Sequence, residues 1–422
     1  MLKNKITPNL INSKALEICH TLSNTGYQSF IVGGCVRDLL LGCTPKDWDI
    51  TTDATPEQVM ELFPKTIPTG LQHGTITVVM GEGTSNHFEV TTFRTESDYL
   101  DGRHPDKVLF VKDIDQDLSR RDLTINAIAY NPITNNLIDP YYGLSDLNSK
   151  IIRAVGDPML RFKEDGLRIM RAARFAARLD YDIDINTFQG MRNTIHTLNM
   201  VSKERIQDEL TKILMTNNPS MGMLWLLRCG ALEIACPYLT SSEILLETIG
   251  NLNQCHGELE TRIAVLYGKG NPASVQNEMI SLKFSNKQIK KTCFLLSILE
   301  RYHVFSGGDS ALAYKSFMAT VKNHAPDSWQ HTLEQFILFS EALGISSRKL
   351  ITKFHQEVVF TKQEMKINGY DLIEAGMPAG PELKNILDAC YLEILRYPEH
   401  NSKEFLLELA TSRTFNTSTT TT

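Results

Sequence analysis

The periodicity of this chain changes once along its length, and that change limits the folds open to it. From residue 28 to about 140, short β-rich runs alternate with turn signals: Gln28 to Val32, Asp47 to Thr52, Gly74 to Met80, His87 to Arg94 and Val108 to Val111. From about residue 155 onward the apolar residues recur at helical spacing, as in Met159 to Leu179, Ser202 to Met215 and Met221 to Leu232. An α+β class follows, with a mixed sheet-and-helix head and an all-α remainder. Asn217-Asn218-Pro219, Gly268 to Pro272 and Ser306-Gly307-Gly308 break the helical part. The expected organisation is a head over 1–150, a neck over 151–219, a body over 220–310, a tail over 311–410, and a disordered Thr/Ser-rich end over 411–422.

With 422 residues the chain can bury several cores, and its composition is that of an ordinary globular protein. Lys and Arg number 43 against 49 Asp and Glu, a net charge of −6, so any nucleic-acid site must be a local patch. No apolar run is long enough for a membrane helix, and the start lacks the apolar stretch of a secretory signal, so a cytoplasmic location is expected. The eight cysteines form no CxxC pair, no histidine is followed by Asp, and no HExxH occurs. Metal chemistry, if present, must therefore come from carboxylates.

The segment Ile31 to Ile50 reads as strand, glycine turn, amphipathic helix, turn and strand. Gly33 and Gly34 leave backbone N–H groups bare at a helix N-terminus, where a phosphate fits, and Arg37 adds a cation one turn in. Asp47 and Asp49, at i and i+2 on a strand, project from one face and can hold Mg²⁺ against a triphosphate. A solvated strand end or turn is the competing reading of this Asp-x-Asp. In His87 to Arg94, Glu89 lies between apolar neighbours and can supply a third carboxylate to a two-metal site, or pair as a strand-edge charge with Arg94 or Arg121. In Arg120 to Asn126, Arg121 can clamp phosphates and Asp122 can accept from a ribose hydroxyl, or the group can be a helix cap with Asp122 as N-cap.

The run Arg161 to Arg178 carries six cations against Glu164 and Asp165, the basic patch that the net charge conceals. Arg168, Arg171 and Arg174 step by three around a helix, and Asp165 and Arg168 are neighbours at i and i+3. A surface helix laced with ion pairs would look the same. The sharper reading is a base reader. A carboxylate accepts from the exocyclic amino groups of C and A and repels the carbonyl oxygens of U and G, while an arginine donates to the ring.

In order, GGCVRDLLLG, DWD, FEVTTFR, RRDLTINA and EDGLRIMRAARFAARL resemble the class II tRNA nucleotidyltransferases and their relatives, the bacterial poly(A) polymerases. The resemblance covers most of the chain. It implies a polymerase-β-like head with Asp47 and Asp49 as metal ligands for Mg²⁺ and Glu89 beside them. It also implies nucleotide contacts from Gly33, Gly34, Arg37, Arg121, Asp122, Asn126, Glu164, Asp165, Arg168, Arg171 and Arg174. The implied reaction is template-independent addition of CMP and AMP from CTP and ATP to the 3′ end of tRNA, with RNA rather than DNA as partner. Glu96 to Asp106, polar with Gly and Pro, is similar to the flexible loop of CCA-adding enzymes. The strongly basic extension of the bacterial poly(A) polymerases is replaced here by a Thr-rich end. An A-adding enzyme, a poly(A) polymerase and a non-catalytic RNA-binding protein on an inactivated head are the alternatives.

Overall fold

The computed structural model describes residues 6–83, 86–97, 107–308, 311–353 and 357–417. It divides into two compact units, Met1–Ser241 with Ser281–Lys283, and Ser242–Ile280 with Phe284–Thr422.

The first unit opens with helix α1 (Ser13–Asn24), whose N-terminal amides on Lys14 and Ala15 donate to the Asn12 side chain. Its strands are β1 (Ser29–Val32), β2 (Asp49–Thr52), β3 (Thr66–Gly70), β4 (Thr75–Val79), β5 (His87–Thr92), β6 (Arg94–Ser97), β7 (Lys107–Phe110), β8 (Ala129–Asn131) and β9 (Asn136–Ile138). Seven of them form one sheet in the order β3-β4-β5-β2-β1-β8-β9. β6 and β7 pair separately, on either side of residues 98–106. Most of the loop expected over Glu96 to Asp106 thus lies outside the described residues.

Every pairing in the large sheet is antiparallel except β2 with β5. A parallel pair needs a crossover. Here that crossover consists of α3 (Pro56–Leu62), closed at its start by a Thr55–Gln58 capping box, and the β3–β4 hairpin. The detour has a chemical result, because it sets the start of β2 beside the middle of β5. Phe30 and Val32 of β1, Ala129 of β8, and Ile114 and Leu118 of α4 (Ile114–Ser119) bury one face of the sheet together with Phe93 and Val155. β3, β8 and β9 carry no strong sequence pattern, since they are short and Thr-, Pro- or Asn-rich.

After α5 (Gly143–Ser149) the unit becomes mainly helical, with α6 (Pro158–Glu164), α7 (Leu167–Leu179), α8 (Ile185–Asn193), α9 (Lys203–Leu214) and α10 (Pro219–Cys229), and one short parallel pair, β10 (Ile151–Ile152) with β11 (Asp182–Ile183). Two corrections to the sequence reading arise here. The single helix expected over Met159 to Leu179 is broken at Asp165, whose backbone is extended (φ −148°, ψ 108°), and Gly166 caps α7. A Cβ on Gly166 would stand 2.7 Å from the carbonyl carbon and oxygen of Thr197, so only glycine lets the break close against that backbone. Moreover, α7 is no surface helix: Leu167, Ile169, Met170, Ala172, Ala173, Phe175, Ala176 and Ala177 are all buried, and so is Arg168. The division into units falls at Ser241, and α10, which begins at the expected neck–body boundary, belongs to the first unit.

The second unit is helical throughout its described residues. Tyr302, Phe317, Phe336 and Phe339 pack edge-on or tilted at centroid distances of 5.2 to 6.3 Å to form its core. Asn368 and Asp371 form a capping box on Gly369–Glu374, and Pro381 precedes Glu382–Arg396. Lys403–Thr417 is a helix, so it runs into the stretch expected to be disordered from 411. Residues 418–422 of that stretch lie outside the described residues.

Candidate active site and base reader

The β2–β5 register places Asp49 directly opposite Glu89. In-register partners on adjacent strands project to the same face, so the two carboxylates are neighbours by construction. On β5, Phe88 and Val90 point into the core at 1% exposure while Glu89 is exposed, as the alternation requires. Asp47 is not on a strand: β2 begins at Asp49, Asp47 occupies a bend before it, and the buried Trp48 lies between them. The two aspartates share a site because the chain turns there, and strand periodicity plays no part.

The Asp49 carboxyl is pushed up to about 6, chiefly by burial, with Arg121 opposing the rise and the charges of Glu89 and Asp47 adding to it. Asp49 therefore lies within electrostatic reach of both other carboxylates. Among the described residues, no group of three or more His, Cys, Asp or Glu side chains is gathered closely enough to share one metal ion. The donor set nevertheless fits a hard divalent cation. It is all carboxylate oxygen, it includes one half-buried group whose negative charge is under-compensated, and its arginine neighbour is engaged elsewhere.

That neighbour, Arg121, donates to Asp117 at 3.4 Å, and its Nε is buried with no hydrogen-bond partner. Gly33 lies against it. Its φ is +79°, and a Cβ there would meet Arg121 Nη1 at 2.9 Å and Asp49 Oδ2 at 4.0 Å. The glycine is thus required twice, by its backbone angle and by the guanidinium that passes over it. Its own N–H donates to the Ile128 carbonyl, so the amides free of a side-chain cap are those at the start of α2 (Gly34–Leu40), beginning with Gly34.

Arg37 departs from the expectation of an open phosphate ligand. It is 2% exposed, donates to Asp38 from Nε and Nη2 and to the Asn126 side chain from Nη1, and burial lowers its pKa. Asn126 in turn donates to Asp122 at 3.2 Å, and Asp122 receives Arg171 Nε at 2.7 Å. Burial opposes ionisation of Asp122, but Arg171, Asn126 and Arg168 outweigh it and hold the carboxyl well below the usual range. Neither α4 nor the following 3₁₀ turn is capped by Asp122. Its contacts join Asn126 of the head to Arg171 of α7.

On the reader side, Glu164 accepts from Arg161 at 2.7 Å and from Arg168, and Arg168 also donates to the carbonyls of Arg161 and Arg120 at 3.1 Å. Asp165 pairs with a residue that the sequence reading missed. Arg205 of α9 donates to both its oxygens, at 2.7 and 3.4 Å, while the Leu167 amide donates to Oδ1 at 3.0 Å. Asp165 and Arg168, neighbours at i and i+3, are joined by a backbone bond from the Arg168 amide to the Asp165 carbonyl. Arg174 stands 2.8 Å from Glu209 of α9, which is 2% exposed. Glu209 sits four residues after Arg205, one helical turn along α9, and that acid–base periodicity was the available signal.

The poly A polymerase head domain family matches residues 29–153, the RNA and SrmB binding site of polymerase A matches 180–242, and tRNA nucleotidyltransferase domain 2 matches 256–410. The chain is 35% identical over 406 residues to the CCA-adding enzyme of Ligilactobacillus salivarius, covering 94% of this chain and 95% of that protein. It is 36% identical over 387 residues to the CCA-adding enzyme of Lactococcus lactis, covering 89% and 90%. The crystal structure of the Bacillus stearothermophilus CCA-adding enzyme in complex with CTP superposes with a TM-score of 0.68 at 32% identity, covering 96% of this chain and 98% of that one. The Thermotoga maritima CCA-adding enzyme complexed with tRNA shares the fold, with a TM-score of 0.66 at 22% identity. No described helix is long and apolar enough to cross a membrane. With relatives this similar over nearly its whole length, the chain belongs to the class II CCA-adding tRNA nucleotidyltransferase family.

Proposed function

We propose that this protein adds CMP and AMP to the 3′ end of tRNA, using CTP and ATP and releasing pyrophosphate. The observation that carries the reading is the in-register pair Asp49 and Glu89, under-compensated and flanked by Asp47, in a chain of this family. Asp47 and Asp49 would hold Mg²⁺, with Glu89 next to them. The ion, when bound, would lower the pKa of the primer hydroxyl and offset charge on the reacting phosphate.

The chain's own groups have separable tasks. The Gly34 amide and Arg121 hold the phosphates, and the buried Arg121 Nε gains the acceptor it lacks. Arg37 acts from behind, fixing Asn126 and through it Asp122. Asp165 accepts from the exocyclic amine of C or A, and Arg205 fixes the carboxylate in place while Glu164 does the same for Arg168. The helical segments expected as body and tail would hold the tRNA through its phosphates and shape. The proposed setting is the cytoplasm, where tRNA and both nucleotides meet.

The test uses purified protein, Mg²⁺, and labelled tRNAs ending before CCA or after CC, with each nucleotide supplied singly and together. Three residues added and then arrest is the expected result. A single A on the CC-ended tRNA alone, a long ladder, or no incorporation would each overturn it.

A further inference from the structure

One aromatic ring collects three of the arginines already described. The guanidinium carbons of Arg174, Arg37 and Arg171 lie 4.5, 4.9 and 5.8 Å from the centroid of Phe175. The ring is 5% exposed and is carried by α7, whereas Arg37 comes from α2 in the head. Three like charges do not gather in a half-buried space without a reason, because bringing them together costs desolvation and mutual repulsion. Arg178 adds a fourth, paired with Asp38 at 3.1 Å. Against these four stand Asp38, Asp122 and Glu209, and Asp165 also acts on Arg171.

The bonding of the cluster is also incomplete. Arg174 Nε and Glu209 Oε2 are both buried without a hydrogen-bond partner, although they stand 2.8 Å apart, because the approach is misaligned. Arg171 is held at Nε by Asp122, while its side chain keeps 35% exposure. A flat π face can attract several guanidiniums while using none of their N–H donors. A carboxylate in the same position would consume those donors.

We infer that Phe175 is a positioning residue of the nucleotide site: its ring holds Arg37, Arg171 and Arg174 around it and leaves donors of Arg171 and Arg174 for an anion, the polyphosphate of the incoming nucleotide. The inference rests on the nucleotidyltransferase reading and adds to it a specific cause for triphosphate affinity. Phe175 touches no reacting atom. It acts through the arginines, and so it governs nucleotide affinity while base choice stays with Asp165 and Arg168.

The experiment compares Phe175→Leu, which stays apolar and removes the π face, with Phe175→Tyr, which keeps it. The readouts are CTP and ATP incorporation into tRNA, binding of CTP and of inorganic tripolyphosphate by calorimetry, and thermal unfolding of each protein. The expected result for Phe175→Leu is a KM for both nucleotides raised about ten-fold. Tripolyphosphate binding weakens in parallel, kcat changes less than KM, and the preference for C and A over U and G is kept. Phe175→Tyr restores KM. A Phe175→Leu protein that binds tripolyphosphate as well as the wild type, or loses kcat and base choice together with its melting temperature, overturns the inference. Failure of the wild type to bind tripolyphosphate or incorporate nucleotide would instead overturn the underlying reading.

Discussion

Asp49 and Glu89 on adjacent inner strands of the sheet, and Asp122 and Glu209 where α7 meets its neighbours, are carboxylates of a single folding unit treated in opposite ways. Asp122 takes donors from Arg171, Asn126 and a backbone amide, and its ionised form is held far below the normal range. Asp49 is half-buried among acids, and its ionised form is held up at about 6. The first pattern stabilises a fold. The second costs stability and persists where a cation is to be bound. The difference gives a criterion for sorting acids in this chain, because paired ones build the scaffold and under-compensated ones do the chemistry.

The comparison breaks most directly at Asp49. Asp49→Asn is expected to lower nucleotide incorporation by a factor of about 10² to 10³ or more, with a melting temperature equal to or above that of the wild type. A loss of stability matching the loss of activity would place Asp49 in the scaffold. Glu209→Ala should behave in the reverse way. Removing the acid strands Arg174 in a buried site and should cost about 3–5 kcal/mol in chemical denaturation. A variant of unchanged stability would refute the pairing argument.

A smaller effect separates helix propensity from packing. Early in a helix, glycine is worse than alanine by up to about 1 kcal/mol, so the sequence alone makes Gly166→Ala stabilising. The backbone of Thr197, 2.7 Å from the position of the missing Cβ, reverses the sign. Equilibrium denaturation should show a loss of about 1–3 kcal/mol, and a more stable variant would mean that the Thr197 segment yields.

What could be read from the sequence, and what could not, follows from the range of the interactions. Five β-rich runs in the head correspond to strands, since alternation of apolar residues is local. Phe88-Glu89-Val90 shows it within three positions. Glu89 could be singled out because it interrupts an apolar strand, but its register with Asp49 depends on a parallel crossover that no local pattern announces. The strand expected to begin at Asp47 starts two residues later, because the turn after Pro45 uses them. Arg37 was legible as a cation near the glycines but not as a buried one, since Asn126 is 89 positions away. Arg205, the ion-pair partner of Asp165, was hidden for the same reason. Spacing finds neighbours on one helix, and a break at Asp165 turned that carboxylate toward another.

The last prediction concerns Arg205, the partner that spacing did not reveal. The ion pair with Asp165 is only partly buried, with side chains 23% and 15% exposed, so its removal should cost the fold about 1 kcal/mol or less. Its effect on base choice should be larger than its effect on stability. A carboxylate held by two donors presents a fixed oxygen to the base, whereas one held only by the Leu167 amide can turn to relieve repulsion by a carbonyl. Arg205→Met should therefore raise UTP and GTP incorporation relative to CTP and ATP by about ten-fold, the scale of one recognition contact. Arg205→Lys should recover part of the discrimination, because an ammonium restores charge without the two-point grip. If discrimination in Arg205→Met equals that of the wild type while Arg168→Met loses it, the reader is the i,i+3 pair that the sequence suggested, and α9 only supports it.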